Sequence, residues 1–161
     1  LFNSGLMING YLYSEELCPI EILHAPLSSV LVSDADEKYS LKPKDMEKWK
    51  YLKGRKTETR KNARGKDFVY EEGAVPFPDD VSRPARTMLT SEGSISRSTH
   101  VIRDNISGSL RVLLPIECER LNGFPDGWTE MLPERYRYFT MGNALVVPIV
   151  TMIGKELTKI L

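Results

Sequence analysis

Between Lys42 and Lys66 the chain sets eleven Lys or Arg against three acids, Asp45, Glu47 and Glu58, a local balance of +8. The whole chain holds 22 basic and 22 acidic residues, so the remainder sums to −8. A neutral protein polarised in this way presents one attractive face to a polyanion. The chemistry of such a face is phosphate pairing with counterion release, for which Lys53, Arg55, Lys56, Arg60, Lys61, Arg64 and Lys66 are the candidates. One or two of the arginines can also fork onto the O6 and N7 of guanine in a major groove. The plain alternative is a solvated helix and loop.

A second group, Thr87, Ser91, Ser96, Arg97, Ser98 and Thr99, surrounds a Gly-containing turn. Short hydroxyls on a backbone free of bulk suit close approach to a sugar-phosphate chain, although an ordinary hairpin tip would read the same way. Arg111, Glu117 and Arg120 invite an acid–base reading, which we reject. Charges spaced through a half-apolar segment read instead as a hydrogen-bonded, ion-paired frame. Cys18 and Cys118 match no metal-ligand spacing and read as free thiols, and no metal site is expected. His24 and His100 are isolated, and neither is read as catalytic. Trp49 and Trp128 read as core or interface anchors.

The elements that must carry these residues are short. With 161 residues, 41% hydrophobic and 27% charged, the chain suits one globular domain. No apolar stretch approaches the roughly 18 residues of a membrane span, and no signal peptide opens it. Leu6-Met7-Ile8 and Tyr11-Leu12-Tyr13 flank Asn9-Gly10, the signature of a two-residue hairpin turn. Residues 20–25, between Pro19 and Pro26, suit a strand or a single turn. Residues 44–53 have helical spacing, with Met46, Trp49 and Leu52 on one face and Gly54 as the stop. Residues 55–66, apolar only at Ala63, read as a basic loop or mobile arm, and residues 68–70 as a short strand. Pro76, Pro78 and Pro84 mark an irregular connection. Residues 86–90 and 99–102 read as two strands joined by a Gly-Ser turn, and residues 111–114 as a further strand. Pro115 opens a helix through Leu121, stopped by Gly123. Asn143 is expected to cap a last helix with Val146, Val147, Ile149, Val150, Ile153, Leu157 and Ile160 at helical spacing and Pro148 tolerated in its first turn.

Two segments carry a family resemblance. Arg111-Val-Leu-Leu-Pro-Ile-Glu117-Cys-Glu-Arg120-Leu121-Asn-Gly123-Phe124-Pro125-Asp126 is similar to the ninth motif of DNA cytosine-5 methyltransferases, Arg-x-Leu-Thr-Pro-x-Glu-x-x-Arg-Leu-x-Gly-Phe-Pro. Gly142-Asn143-Ala144-Leu-Val-Val-Pro148-Ile-Val150 resembles their tenth motif. Leu114 departs from the family's Thr, at a local capping contact. Pro84-Ala85-Arg86-Thr87-Met88-Leu89-Thr90-Ser91 resembles the Thr-Leu element that closes the family's target recognition region, with Thr87-Met88 and Leu89-Thr90 both open as its register. The resemblance covers residues 84–161 by motif and 1–83 by position. The family's Pro-Cys nucleophile, Glu-Asn-Val segment, Gly-rich cofactor motif and Gln-x-Arg-x-Arg segment do not occur in these residues. The chain is therefore expected to be a fragment beginning just after the eighth motif.

The resemblance implies an α+β fragment of an α/β, Rossmann-like methyltransferase: a mostly β, irregular recognition region and a C-terminal helix belonging to the catalytic domain. Its parts would be a hairpin leaving the catalytic domain (1–14), the recognition region (15–110), the ninth-motif segment (111–141) and the tenth-motif helix (142–161). The parent reaction would be methyl transfer from S-adenosylmethionine to cytosine C5 in duplex DNA, with this portion inactive alone. Asn143 and Ala144 would line the cofactor pocket, Thr87, Ser96, Arg97 and Ser98 would face the target phosphate, and Arg111, Glu117 and Arg120 would join the recognition region to the catalytic domain. Expected partners are duplex DNA and the N-terminal catalytic portion, in the same or a separate chain, with a homodimer as another cover for the apolar last helix. The parent would be a cytoplasmic, nucleoid-associated restriction-modification or phage-type methylase. The alternatives are the recognition subunit of a split enzyme and an autonomous DNA-binding module.

Overall fold

Asn9 and Gly10 take φ of 49° and 81°, the left-handed values a type I′ turn requires. They fold β1 (Ser4–Ile8) back as β2 (Tyr11–Glu15), with Leu6 opposite Tyr13 and Ile8 opposite Tyr11. The computed structural model describes residues 2–18 and 25–159. The expected strand or turn at residues 20–25 falls outside them except for Ala25, and so does His24. Leu6, Met7, Tyr11, Leu12 and Tyr13 of the hairpin are all exposed.

Pro43–Asp45 form a 3-10 turn that leads into α1 (Met46–Lys53), and Gly54 closes the helix as expected. Trp49 is the buried anchor of its face. The next segment departs from expectation. Residues 55–66 are no mobile arm, because Lys56–Lys61 form β3, paired antiparallel with β4 (Asp67–Glu72) in continuous register from Lys56–Glu72 to Lys61–Asp67. No residue of this ribbon is buried: one face is exposed throughout, and on the other Lys56, Glu58, Tyr70 and Glu72 are half-buried, so β3 carries none of the apolar–polar alternation by which a strand is usually read.

β5 (Val101–Arg103) pairs antiparallel with β6 (Leu110–Val112). Consecutive strand residues point to opposite faces, and here both faces are covered. Val101 and Val112 join Trp49 in one apolar cluster. Ile102 and Leu113 join Leu27, Cys118, Tyr138 and Met141 in the other. Pro115 opens α2 (Pro115–Leu121), as expected, and its first turn shows what Leu114 changes. Glu117 still accepts from the Leu114 N–H at 2.7 Å, but a leucine has no oxygen with which to complete a capping box.

Two further differences follow from packing. Residues 86–90 form no strand. Arg86 is drawn to Asp79 at 2.6 Å, and the Leu89–Thr90 backbone lies under Gly142, so tertiary contacts fix this segment in place of a ladder. Residues 134–143 form α3 (Glu134–Asn143), which buries Tyr138 and Met141. Asn143 is therefore the last residue of that helix and not a cap for the next; its Nδ2 donates to Phe139 O at 3.1 Å. The final helix, α4 (Val147–Leu157), has Val146 at its N-cap and Pro148 in its first turn. Ile160 lies outside the described residues. Val147 N donates to Asn122 O at 2.8 Å, but Ile149, Val150, Met152, Ile153 and Leu157 remain exposed. Among the described residues the architecture is α+β, with three separate two-stranded antiparallel sheets and four α-helices.

Candidate nucleic-acid interface

The β3–β4 ribbon sorts its cations into two classes. At its base Arg55 meets Glu71 and Lys56 meets Glu72, both at 3.6 Å, and Lys56 Nζ lies 4.6 Å from the Tyr51 ring centroid. Midway along it, Arg60 pairs with Glu58 at 2.9 Å. At the tip Asn62 Oδ1 accepts the N–H groups of Arg64 and Lys66 at 2.9 and 3.0 Å, which fixes the turn. Lys61, Arg64 and Lys66 are exposed, and among the described residues they make no ion pair. The positive charge that is free to meet a phosphate is thus concentrated at the ribbon tip.

Lys53 is a correction to the sequence reading. It is 2% exposed, and its Nζ donates to Arg97 O at 2.9 Å and to Thr99 O. Burial, followed by the nearby Arg86 charge, lowers its pKa to about 8. Those carbonyls take the place of water, so Lys53 braces the 97–99 backbone and presents no charge to a phosphate. Arg97 is turned inward as well. Its Nη1 donates to Leu52 O and Gly54 O at 2.8 and 3.1 Å, its Nη2 to Gly73 O, and its Nε faces Glu72 at 3.4 Å. It clasps the stem of the ribbon, and this fork is no longer open to DNA.

The other hydroxyl residues do come together. Ser91, Ser96 and Ser98 form a triangle of Oγ atoms 2.7 to 3.2 Å apart, and with Thr87 they line a cleft of about 600 Å³. Beneath it lies a buried polar layer that the sequence did not disclose. Arg86 holds Asp79 and donates to Ser98 O at 3.0 Å. Asp79 Oδ2 accepts the Val101 N–H at 2.9 Å. Glu92, 3% exposed, accepts the His100 N–H at 2.7 Å and faces His100 Nδ1 at 3.0 Å. His100 Nε2 is buried without a partner among the described residues. Residues 97–101 are thus gripped by four charged side chains from separate parts of the chain, Lys53, Asp79, Arg86 and Glu92.

Arg111 and Glu117 meet in a two-bond pair at 2.8 and 2.9 Å. Arg111 also reaches Asp104 at 3.0 Å, and Glu117 accepts the Val32 N–H at 2.8 Å. Hydrogen bonds from Ser107 N–H and then Arg111 hold the Asp104 carboxyl down to about 2. Arg120 forks onto Asp126 at 2.6 and 2.7 Å and donates to Val30 O at 3.1 Å. Glu119, unremarked in the sequence, is fully buried and accepts from Gly127 N, Thr129 and Arg137. Burial alone would raise its pKa, but the bonds from Thr129 and Arg137 outweigh burial and hold it low. A carboxylate between Cys118 and Arg120 in a half-apolar helix was the available signal for this residue.

Ala144 lines a second cleft, of about 740 Å³, between residues 84–89, the Arg120–Gly123 segment and the end of α3; Asn143 stands exposed beside it. Among the described residues no carboxylate lines that cleft. Of the remaining candidates, Cys118 is buried and Cys18 exposed, both free, and burial pushes the Cys118 thiol well up. Trp49 is core, whereas Trp128 is exposed and leans on Phe124 at 5.8 Å. Among the described residues no cluster of three metal-ligating side chains occurs, and no helix is long and apolar enough to cross a membrane.

The chain belongs to the C-5 cytosine-specific DNA methylase family, whose model matches residues 3–159. It is 46% identical over 159 residues to the Type II methyltransferase M.Sau3AI of Staphylococcus aureus, a match covering 99% of this chain and 38% of that protein. It is 27% identical to the Type II methyltransferases M1.ScrFI of Lactococcus lactis subsp. cremoris, covering 84% of this chain and 32% of the relative, and M.DsaV of Dactylococcopsis salina, covering 86% and 36%. The chain spans less than two-fifths of the length of each of these relatives. No solved structure matches it.

Proposed function

We propose that this chain is the DNA-recognition, C-terminal portion of a DNA (cytosine-5)-methyltransferase of the restriction-modification type, and that it is inactive alone. The observation that carries the reading is a family match across residues 3–159 in a sequence with no Pro-Cys pair. Lys61, Arg64 and Lys66 at the ribbon tip pair with phosphates of duplex DNA. Thr87 and the Ser91–Ser96–Ser98 triangle hold the backbone of the strand whose target base has left the stack. The Arg111–Glu117 pair and the Arg120–Asp126 pair fix the segment that carries this surface to the catalytic portion.

The family implies S-adenosylmethionine, which when bound supplies the methyl group. The residues present fit one edge of a pocket for it. Ala144 lines the larger cleft beside the exposed Asn143, but among the described residues no carboxylate lines the cleft to take the hydroxyls of a ribose. Asn143 and Ala144 would therefore close a pocket built mostly by other residues.

Two apolar surfaces support a catalytic portion as the partner: the exposed hairpin β1–β2 and the exposed side of α4. Burying four or five such side chains is worth on the order of 1.5–3 kcal/mol each before ordering costs. The test measures tritiated methyl incorporation into DNA. The chain alone should give background. Mixed with a polypeptide carrying the part of the Staphylococcus aureus relative outside the match, it should restore transfer. Val150→Asp, which places a charge in the contact, should abolish that rescue. Turnover by the chain alone, or full rescue by Val150→Asp, would overturn the reading; duplex binding without any rescue would favour an autonomous DNA-binding module.

A further inference from the structure

Arg60 differs from the exposed cations of the ribbon tip, Lys61, Arg64 and Lys66, in being held. Its Nε and Nη2 both donate to Glu58 Oε2, at 3.1 and 2.9 Å. Its guanidinium carbon lies 3.6 Å from the centroid of the Tyr70 ring. Arg60 is opposite Phe68 and Glu58 opposite Tyr70 in the register, so the four residues share one face of the ribbon. Tyr70 is itself fixed, its hydroxyl donating to Glu72 Oε1 at 3.2 Å. Glu72 in turn faces Arg97, the residue that clasps the stem beside the serine triangle, at 3.4 Å. A continuous line of contacts thus joins the serine cleft to Arg60.

A guanidinium offers five N–H groups in a planar fork, and so two edges for paired hydrogen bonds. In Arg60 the Nε–Nη2 edge is spent on Glu58. The Nη1–Nη2 edge has no hydrogen-bond partner among the described residues, and the side chain is 49% exposed. An arginine whose charge is compensated at 2.9 Å is a poor phosphate contact, because it releases few counterions. An arginine stacked and oriented before binding loses little freedom on forming a planar pair. The acceptor pair such an edge fits is O6 and N7 of guanine, and a two-stranded ribbon fits the roughly 12 Å width of a major groove.

We propose that Arg60 is a specificity-determining residue that reads a guanine in the major groove of duplex DNA through its Nη1–Nη2 edge, with Glu58 and Tyr70 as positioning residues. The proposal rests on the DNA-recognition reading above and deepens it by separating two jobs on one ribbon: Arg60 reads a base, and the tip cations Lys61, Arg64 and Lys66 hold phosphates.

The experiment is selection of bound duplexes from a random library by the full chain, followed by salt titrations on the selected duplex and on a scrambled one. The wild type should select a motif with a guanine at one fixed position. Arg60→Ala and Arg60→Lys, which cannot form the planar pair, should relax that position alone and weaken the selected duplex by about 5- to 150-fold. Their salt slope on the scrambled duplex should stay at the wild-type value. Tyr70→Leu should shift the same position in the same direction. The triple variant Lys61→Ala, Arg64→Ala, Lys66→Ala should keep the motif while its slope falls by about 0.9 for each phosphate pairing removed. An unchanged motif in Arg60→Ala, or an equal loss on every duplex with a shallower slope, would overturn the assignment and leave Arg60 as a phosphate contact or a surface residue. If the wild type selects no duplex at all, the DNA-recognition reading itself falls and takes this inference with it.

Discussion

Gly142 meets Leu89 backbone to backbone: a Cβ on residue 142 would stand 2.4 Å from the Leu89 carbonyl carbon and equally close to Thr90 N. The end of α3 therefore rests directly on the segment that carries Thr87, and no side chain intervenes. Gly142→Ala must push the two apart. The expected cost is about 1–3 kcal/mol, the range for inserting a methyl group into a packed site. Urea unfolding checks this, and a midpoint equal to that of the wild type would show that the segment yields freely.

The Arg111–Glu117 pair is buried and the Arg120–Asp126 pair is not, with side-chain exposures of 2% and 0% against 32% and 52%. Glu117→Gln strands part of a buried guanidinium. It should cost about 3 kcal/mol, the low end for a broken buried pair, because Asp104 still faces Arg111. Asp126→Asn should cost less than about 1 kcal/mol. Equal losses in chemical denaturation would mean that burial does not set the difference.

Lys53 gives a pH signature. Its folded pKa, about 8, lies below the ordinary 10.5, so the folded state sheds this proton first. Between those values the unfolded chain holds more protons, and stability from this group rises with pH. The two hydrogens of the neutral amine still serve the Arg97 and Thr99 carbonyls. Wild type should therefore gain on Lys53→Met between pH 8 and 10, measured as the gap between their urea midpoints. A gap that stays constant or reverses would contradict the burial of a charged amine.

What the sequence disclosed was local. Asn9-Gly10, Pro115 and the Met46–Trp49–Leu52 spacing each fix their element through their own backbone or face, and the hairpin, α2 and α1 appear where expected. The expectations that failed depended on distant partners. α3 was hidden because Tyr138 and Met141 are buried while Arg135, Tyr136 and Phe139 around them are exposed, which blurs the apolar face. β4 appears where Phe68-Val69-Tyr70 placed a short strand, but β3 alternates Thr with charge and buries no residue, so only its turn and register define it. Of the basic candidates, Lys53 and Arg97 turn inward because carbonyls from other segments receive them. No property of a lysine or an arginine in a sequence marks that choice. The Glu92–His100 contact needed a turn of the chain to bring the two residues together, which spacing alone does not encode.

β3 and β4 pair with each other and with no further strand among the described residues, so every ladder hydrogen bond of the ribbon is internal to it. Its stem is closed by Val75 N donating to Lys53 O at 2.9 Å, and by Arg97 on the carbonyls of Leu52, Gly54 and Gly73. Nearly all of these anchoring atoms belong to the main chain, which any residue supplies. The loop between the anchors is in effect a cassette: beyond Lys56 and Glu72, whose side chains take part in the stem, its letters can be replaced while the socket of carbonyls that receives it stays the same.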